Sequence, residues 1–324
     1  MTRIRKSPEM TGAFADIIND FIKYKRNHGY KYENEPKCLS RFCSFCEEHG
    51  ITSIEISQEL AETWIAFREG EANKTRSHRI TCVRQLAIYL DSLGYDAYIL
   101  PDQKGDSDYS FTPYIFTHDQ IDMLMKAVDE TKACESSKDM HLALPVIFRL
   151  LYGCGMRVSE VLGLRFRDVD LNIGLLTIRM AKNDKDRFIP LSDSVKLACI
   201  KYAKNIRWEN DSEYFFMAPD RTMISPMTIY QRYRRYLKVA GIPHGGKGKG
   251  PRLHDLRHTF AVHVLQKWII EEIDLTAMMP ILSTYMGHKG IRSTALYLRL
   301  TAEVYPELMK RVESDCSYVI PEVA

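Results

Sequence analysis

Residues 175–191 read LLTIRMAKNDKDRFIPL, the one clear β signal in a chain that otherwise reads as helical. Two runs rich in branched apolar residues, LLTIRM (175–180) and RFIPL (187–191), flank a polar stretch, which is the pattern of a hairpin. The flanking segments carry helical spacing instead. Before the hairpin, Thr117 followed by Gln120 forms a capping box, with Ile121, Leu124 and Val128 on one helical face behind it. After the hairpin, Ser225-Pro226 opens a helix that stops near Gly241. GGKGKGP (245–251) reads as a flexible basic loop.

Residues 1–100 read as a small four-helix domain. Phe14, Ile17, Ile18 and Phe21 repeat at i, i+3, i+4, i+7, and so do Leu39, Phe42, Cys43 and Cys46. Ser57 is placed to cap a third helix carrying Leu60, Trp64 and Phe67; Ile80, Val83, Ala87 and Leu90 form a fourth stripe ending before Gly94. PDQKGDSDYSFTPYIF (101–116) is polar, with prolines towards both ends, and reads as a linker. The expected organisation is a helical domain at 1–105, a linker at 106–113 and a second domain at 114–324. The expected fold class is mainly α, with a small β-hairpin or sheet in the second domain.

With 324 residues, 45% of them apolar, the chain is long enough for two domains with cores of their own. No apolar run approaches bilayer-spanning length and MTRIRKSPEM lacks the apolar core of a secretory signal, so a cytoplasmic location without membrane contact is expected. There the eight cysteines stay reduced. Cys43 and Cys46 form a C-x-x-C, but both sit on an apolar helical stripe and no second pair completes a zinc site, so core packing is expected. Net charge is only +3, yet the cations cluster in KYKR (23–26), Lys74–Arg79, RYRRYLK (232–238) and around Lys247, Lys249 and Arg252. Such clusters suit phosphate, although a charge run is also what any solvated helix face looks like.

Three segments concentrate chemistry: YGCGMRVSEVLGL (152–164), LHDLRHTFAVHVL (253–265) and YMGHKGIRSTALYL (285–298). His254 and Arg257 share a helical face, and Arg157 follows two glycines near a helix start. Two guanidinium forks with imidazoles make a phosphate clamp. The bland alternatives are an ion pair of Arg157 with Glu160 and a core role for Tyr297 among Leu296, Leu298 and Leu300. His254 and His258 also form H-D-x-x-H, close to a zinc-binding pattern, but Arg257 on the same face would repel a cation. No metal or other cofactor is expected.

In this order and spacing the chain resembles the tyrosine recombinase, or phage integrase, family. The pattern is carried by Arg157, Lys182 on the hairpin turn, His254 with Arg257, Gly287-His288, and Tyr297 nine residues after His288. The match runs through residues 114–305; the first hundred residues match only in size and helicity. MGH stands where LGH is usual, and Leu298 and Arg299 follow the tyrosine where smaller or polar residues are common.

The resemblance implies a two-domain, C-shaped clamp on double-stranded DNA at specific recombination sites, acting as a homo-tetramer on two duplexes, with accessory DNA-bending proteins as candidate partners. It implies that Tyr297 attacks the scissile phosphate and forms a 3′-phosphotyrosyl link. Arg157 and Arg257 would bind the non-bridging oxygens. His254 and His288 would complete the hydrogen bonding, His254 exchanging a proton with Tyr297, and Lys182 would protonate the leaving 5′-oxygen, with Lys185 the other lysine of the turn. A type IB topoisomerase or a catalytically silent DNA-binding regulator are the alternatives; the intact residue set argues against the second, and the compact two-domain layout favours recombinase over topoisomerase. Residues 305–324 carry a short amphipathic pattern that could dock on a neighbouring subunit or on their own.

Overall fold

The computed structural model describes residues 9–102, 112–137, 139–179, 186–211, 213–246, 249–288, 290 and 292–305. The hairpin turn with Lys182 and Lys185, most of the expected linker, and residues 306–324 lie outside them. The chain divides into two compact units, Met1–Ser110 and Phe111–Ala324.

In the first unit, α1 (Ala15–Asn27), α2 (Glu35–Glu48), α3 (Gln58–Ile65) and α4 (Asn73–Ser92) follow one another. The apolar stripes turn inward: Ile18 and Phe21, then Leu39 and Phe42, then Leu60 and Trp64, then Ile80, Val83, Ala87 and Leu90 are all buried. Phe42 meets Phe14 and Trp64 edge-on, with ring centres 5.6 and 5.1 Å apart. Cys43 and Cys46 belong to this same apolar core. Ser57 caps α3, its hydroxyl accepting from the Leu60 amide at 3.1 Å.

Two expectations fail here for local reasons. The backbone turns extended at Ala66, with ψ 144°, so α3 ends before Phe67. Phe67 therefore leaves the stripe and is exposed, with the Arg76 guanidinium 5.9 Å from its ring centre. Arg79 is no solvated member of a basic cluster. It is buried over Trp64 and donates to both Glu71 carboxylate oxygens, at 3.1 and 2.6 Å, and to the Ala66 carbonyl at 3.1 Å.

The second unit opens with α5 (His118–Asp129), whose Thr117–Gln120 capping box is formed in both directions. It continues through α6 (Met140–Gly153) and α7 (Val158–Gly163) to a three-stranded antiparallel sheet of β1 (Val169–Asp170), β2 (Leu175–Ile178) and β3 (Arg187–Pro190). Next come α8 (Asp193–Ala203), α9 (Pro226–Val239), α10 (Asp255–Ile270), α11 (Leu275–Met286) and α12 (Arg292–Val304). Helix α6, apolar on nearly every side, packs against α5, α8 and α10. Helices α10, α11 and α12 pack together around a second apolar cluster that includes Tyr297. Among the described residues, no helix is long and apolar enough to cross a membrane.

The strand register prepares the site. Leu176 faces Ile189, and Ile178 faces Arg187. Alternation along a strand then puts Arg187 on the same buried face as Ile189 and leaves Phe188 exposed. A guanidinium is thus directed into the interior, where it must find partners.

The buried Arg79–Glu71 pair sets the first testable outcome. Glu71→Ala should destabilise the first unit by about 3–5 kcal/mol, because it strands a buried guanidinium. Adding Arg79→Met should recover much of that loss, since an apolar side chain tolerates the site. Urea denaturation of the full chain measures both; equal stability of Glu71→Ala and the unmodified chain would refute the pairing as a structural element.

Candidate active site

The site grows from the end of α11. The last carbonyls of a helix have no backbone donors, and they form the negative end of its dipole. Here three consecutive ones each receive an arginine from a different element. Arg187 of β3 donates Nε–H to the Tyr285 carbonyl at 3.0 Å; Arg257 of α10 donates to the Met286 carbonyl; Arg157, at the start of α7, donates to the Gly287 carbonyl at 3.1 Å. Gly287 ends the helix in the left-handed region, with φ 66°. A Cβ there would lie 3.0 Å from Arg187 Nη1, so glycine also leaves room for the cation.

Glu160 ties two of these arginines together. Its Oε1 accepts from Arg157 Nη1 at 2.7 Å and from Arg187 Nη1 at 2.9 Å; its Oε2 accepts from Arg187 Nη2 and the Arg157 backbone amide, both at 2.8 Å. Burial alone would raise the Glu160 pKa, but the hydrogen bonds and charge of Arg187 and Arg157 outweigh it and hold the carboxyl at about 2. The Arg157–Glu160 ion pair and the placement of Arg157 in the site are therefore the same feature.

Arg257 is almost wholly buried and also donates to the Gly155 carbonyl. Gly155 has φ +56°, and a Cβ there would overlap the Phe260 ring, so this turn between α6 and α7 requires glycine. Burial and the neighbouring Arg157 lower the Arg257 pKa to about 10, which leaves it charged at neutral pH. Each guanidinium carries five N–H donors, and these bonds fix its plane while using only part of that set.

Three imidazoles surround the arginines. Burial first, and then the nearby arginines, push His254 and His288 down to about 4. For His258, burial, His254 and Arg257 push the value to about 3. All three are neutral at pH 7. His288 Nδ1 is 2.8 Å from Thr294 Oγ1, while the His254 and His258 rings meet edge to face at 4.9 Å.

Tyr297, from α12, is 3% exposed, and its hydroxyl lies 3.2 Å from His258 Nδ1. The His288 ring lies nearly parallel to the phenol ring, with centres 5.8 Å apart. Burial raises the phenol pKa, against which Arg257 and Arg157 pull it down.

Arg157, His254, Arg257, His288 and Tyr297 thus come together; Lys182 falls outside the described residues. Sequence reasoning missed Arg187, whose signal was its place two residues before Ile189 on the inward face of a strand. It treated His258 only as half of a metal pattern, whereas the ring is turned towards Tyr297.

Two buried arginines and the half-buried Arg157, held in fixed planes beside neutral imidazoles and one tyrosine hydroxyl, form a site that can hold a phosphate group and present a phenolic nucleophile. The phage integrase family model matches residues 115–304, and the chain belongs to that family. It is a tyrosine-type site-specific DNA recombinase. It is 33% identical over 315 residues to y4rE of Sinorhizobium fredii, a protein assigned to the integrases/recombinases, covering 94% of this chain and 98% of that one. It is 30% identical over 302 residues to the tyrosine recombinase XerA of Pyrococcus furiosus, covering 92% and 94%. Solved structures share the fold. The XerH site-specific recombinase in its post-cleavage complex with palindromic difH substrate matches with a TM-score of 0.64 at 18% identity, covering 90% of this chain and 83% of that one. A lambda integrase dimer bound to a core site matches at 0.58 and 16% identity, covering 85% and 95%.

The histidines give the site a pH signature. Their folded pKa values lie below the ordinary 6.5, so between about pH 6.5 and 4 the unfolded chain takes up protons that the folded site refuses. Stability should therefore fall as pH drops through that window. The Glu160 contribution has a different window: it is complete above the ordinary 4.5 and is lost progressively as pH falls from there to about 2. Urea midpoints measured from pH 7 to 4 should decline, and decline less steeply in His288→Gln; identical slopes would mean that His288 titrates normally.

Proposed function

We propose that the chain cleaves and rejoins DNA at specific sites through a covalent 3′-phosphotyrosyl intermediate on Tyr297, serving integration or excision of a mobile element. The observation that carries this reading is the Tyr297 hydroxyl, held 3.2 Å from His258 within the cluster of Arg157 and Arg257. The two arginines bind the non-bridging oxygens and stabilise the charge of the pentavalent transition state in planes already fixed by backbone carbonyls. The phenol oxygen bonds to phosphorus, the 5′-oxygen departs with a proton from Lys182, and the bond energy stays in the phosphotyrosine until a second 5′-hydroxyl attacks. His254 and His288 complete the hydrogen bonding around the phosphate. In this reading residues 114–324 form the catalytic domain and residues 1–105 a core-binding domain, acting in the cytoplasm as a homo-tetramer on two duplexes, with accessory DNA-bending proteins as candidate partners.

Tyr297→Phe should bind target DNA with unchanged affinity and form no covalent adduct. The target is first mapped by capturing protein–DNA adducts from host DNA; the variant is then assayed on a nicked suicide duplex of that site. Adducts persisting in the variant would remove Tyr297 as the nucleophile. The lysine assignment has its own test in a substrate with sulfur at the 5′-bridging position, whose thiolate leaves without help from an acid. Lys182→Ala should cleave that substrate at near-normal rates while failing on ordinary DNA, and Lys185→Ala should cleave ordinary DNA nearly normally. Rescue of Lys185→Ala instead moves the acid three residues along the turn.

A further inference from the structure

The family resemblance implies proton exchange between His254 and Tyr297, but the geometry points to His258: we infer that His258 Nδ1 accepts the Tyr297 hydroxyl proton as the phenol oxygen attacks phosphorus. The inference rests on Tyr297 being the nucleophile.

The three imidazoles stand differently towards the phenol. His258 presents an in-plane nitrogen to the hydroxyl at 3.2 Å. His288 lies nearly parallel to the tyrosine ring, at 23°, and its Nδ1 is engaged by Thr294 at 2.8 Å, so it contributes a ring face instead of a lone pair. His254 begins α10 one turn earlier and meets the His258 ring at 88°. To accept the proton, His258 must be neutral with its hydrogen on Nε2.

The groups facing His258 are His254 and Arg257 of its own helix, Arg252 from the preceding segment, His288 from beyond α11, and Tyr297 from α12. With burial, the cations among them keep the imidazole neutral. A phosphodiester held by Arg157 and Arg257 would bring a negative charge that opposes those cations, so substrate binding itself raises the imidazole's affinity for a proton. The base is armed only when the scissile phosphate is in place, and the tyrosine stays protonated until then.

The step balances. The Oη–H proton moves to His258 Nδ1, the Oη–P bond forms, the P–O5′ bond breaks, and the 5′-oxygen takes its proton from the general acid. On rejoining, the incoming 5′-hydroxyl returns a proton to that acid group, and the departing phenol oxygen recovers its proton from His258.

The test is single-turnover adduct formation on the nicked duplex of the captured site, between pH 6.5 and 8.5. The unmodified protein should give a nearly flat profile. His258→Gln should cleave slower by on the order of 10²–10⁴-fold. Its logarithmic rate should climb by about one unit per pH unit, because the phenol must then lose its proton to solvent. His258→Asn places an acceptor oxygen near the Nδ1 position but cannot take up the proton, so it should show the same slope and serves if the glutamine variant does not fold. DNA affinity should stay within about twofold in both, and His254→Gln should be slower but flat. In the unmodified protein, ¹⁵N-histidine NMR should find the Nε2–H tautomer at His258. Flat profiles in both His258 variants, a unit slope in His254→Gln, or an Nδ1–H tautomer at His258 would each overturn the inference. Adducts formed by Tyr297→Phe would instead bring down the nucleophile reading beneath it.

Discussion

Three guanidinium groups meeting the three carbonyls that close α11 are the constraint on which the rest of the second unit depends. Arg157, Arg187 and Arg257 come from the start of α7, from β3 and from α10, and each is oriented by a carbonyl of Tyr285, Gly287 or Met286. Cations crowded this closely would repel one another in a buried site. Glu160, held ionised by its two arginine partners, removes one unit of that charge and leaves the cluster with a net positive surplus. The helix packing and the strand register can be understood as what delivers those four side chains to one place.

The charge of the site is also fixed. Arg257 at about 10 remains protonated at neutral pH, while burial first, and the nearby arginines after it, keep the three histidines from adding charge of their own. In the proposed reaction the arginines hold the anion, and the imidazoles remain free to exchange protons. Two kinds of nitrogen base with separate tasks follow from one arrangement of burial and neighbours.

Much of the fold was legible because it rests on local spacing. The capping box at Thr117–Gln120, the stripes of α1, α2 and α4, and the alternation of the hairpin each depend on residues a few positions apart. Phe67 broke its stripe because the chain extends at Ala66, and no residue type there signals a stop. The rest was hidden because its partners are distant or of an unexpected kind. Arg79 lies in a run of cations and looked solvated, yet Glu71, eight residues back, makes it an interior residue. Arg187 meets Glu160 and Tyr285, 27 and 98 residues away, and no pattern in RFIPL names them. At the site, order and spacing brought Arg157, His254, Arg257, His288 and Tyr297 to attention, but which histidine touches the phenol depends on the rotation of α10, which spacing alone does not specify.

The acceptors at the end of α11 are main-chain atoms, and every amino acid carries one. Replacing Met286 or Tyr285 changes a side chain and leaves the carbonyl that orients the arginine in place, which is why methionine before Gly287-His288 is of little consequence to the clamp. Only Gly287 is held by its own identity, through its positive φ and the lack of room beside Arg187. Arginines anchored on main-chain oxygens in this way depend on where the helix ends more than on which side chains it carries there.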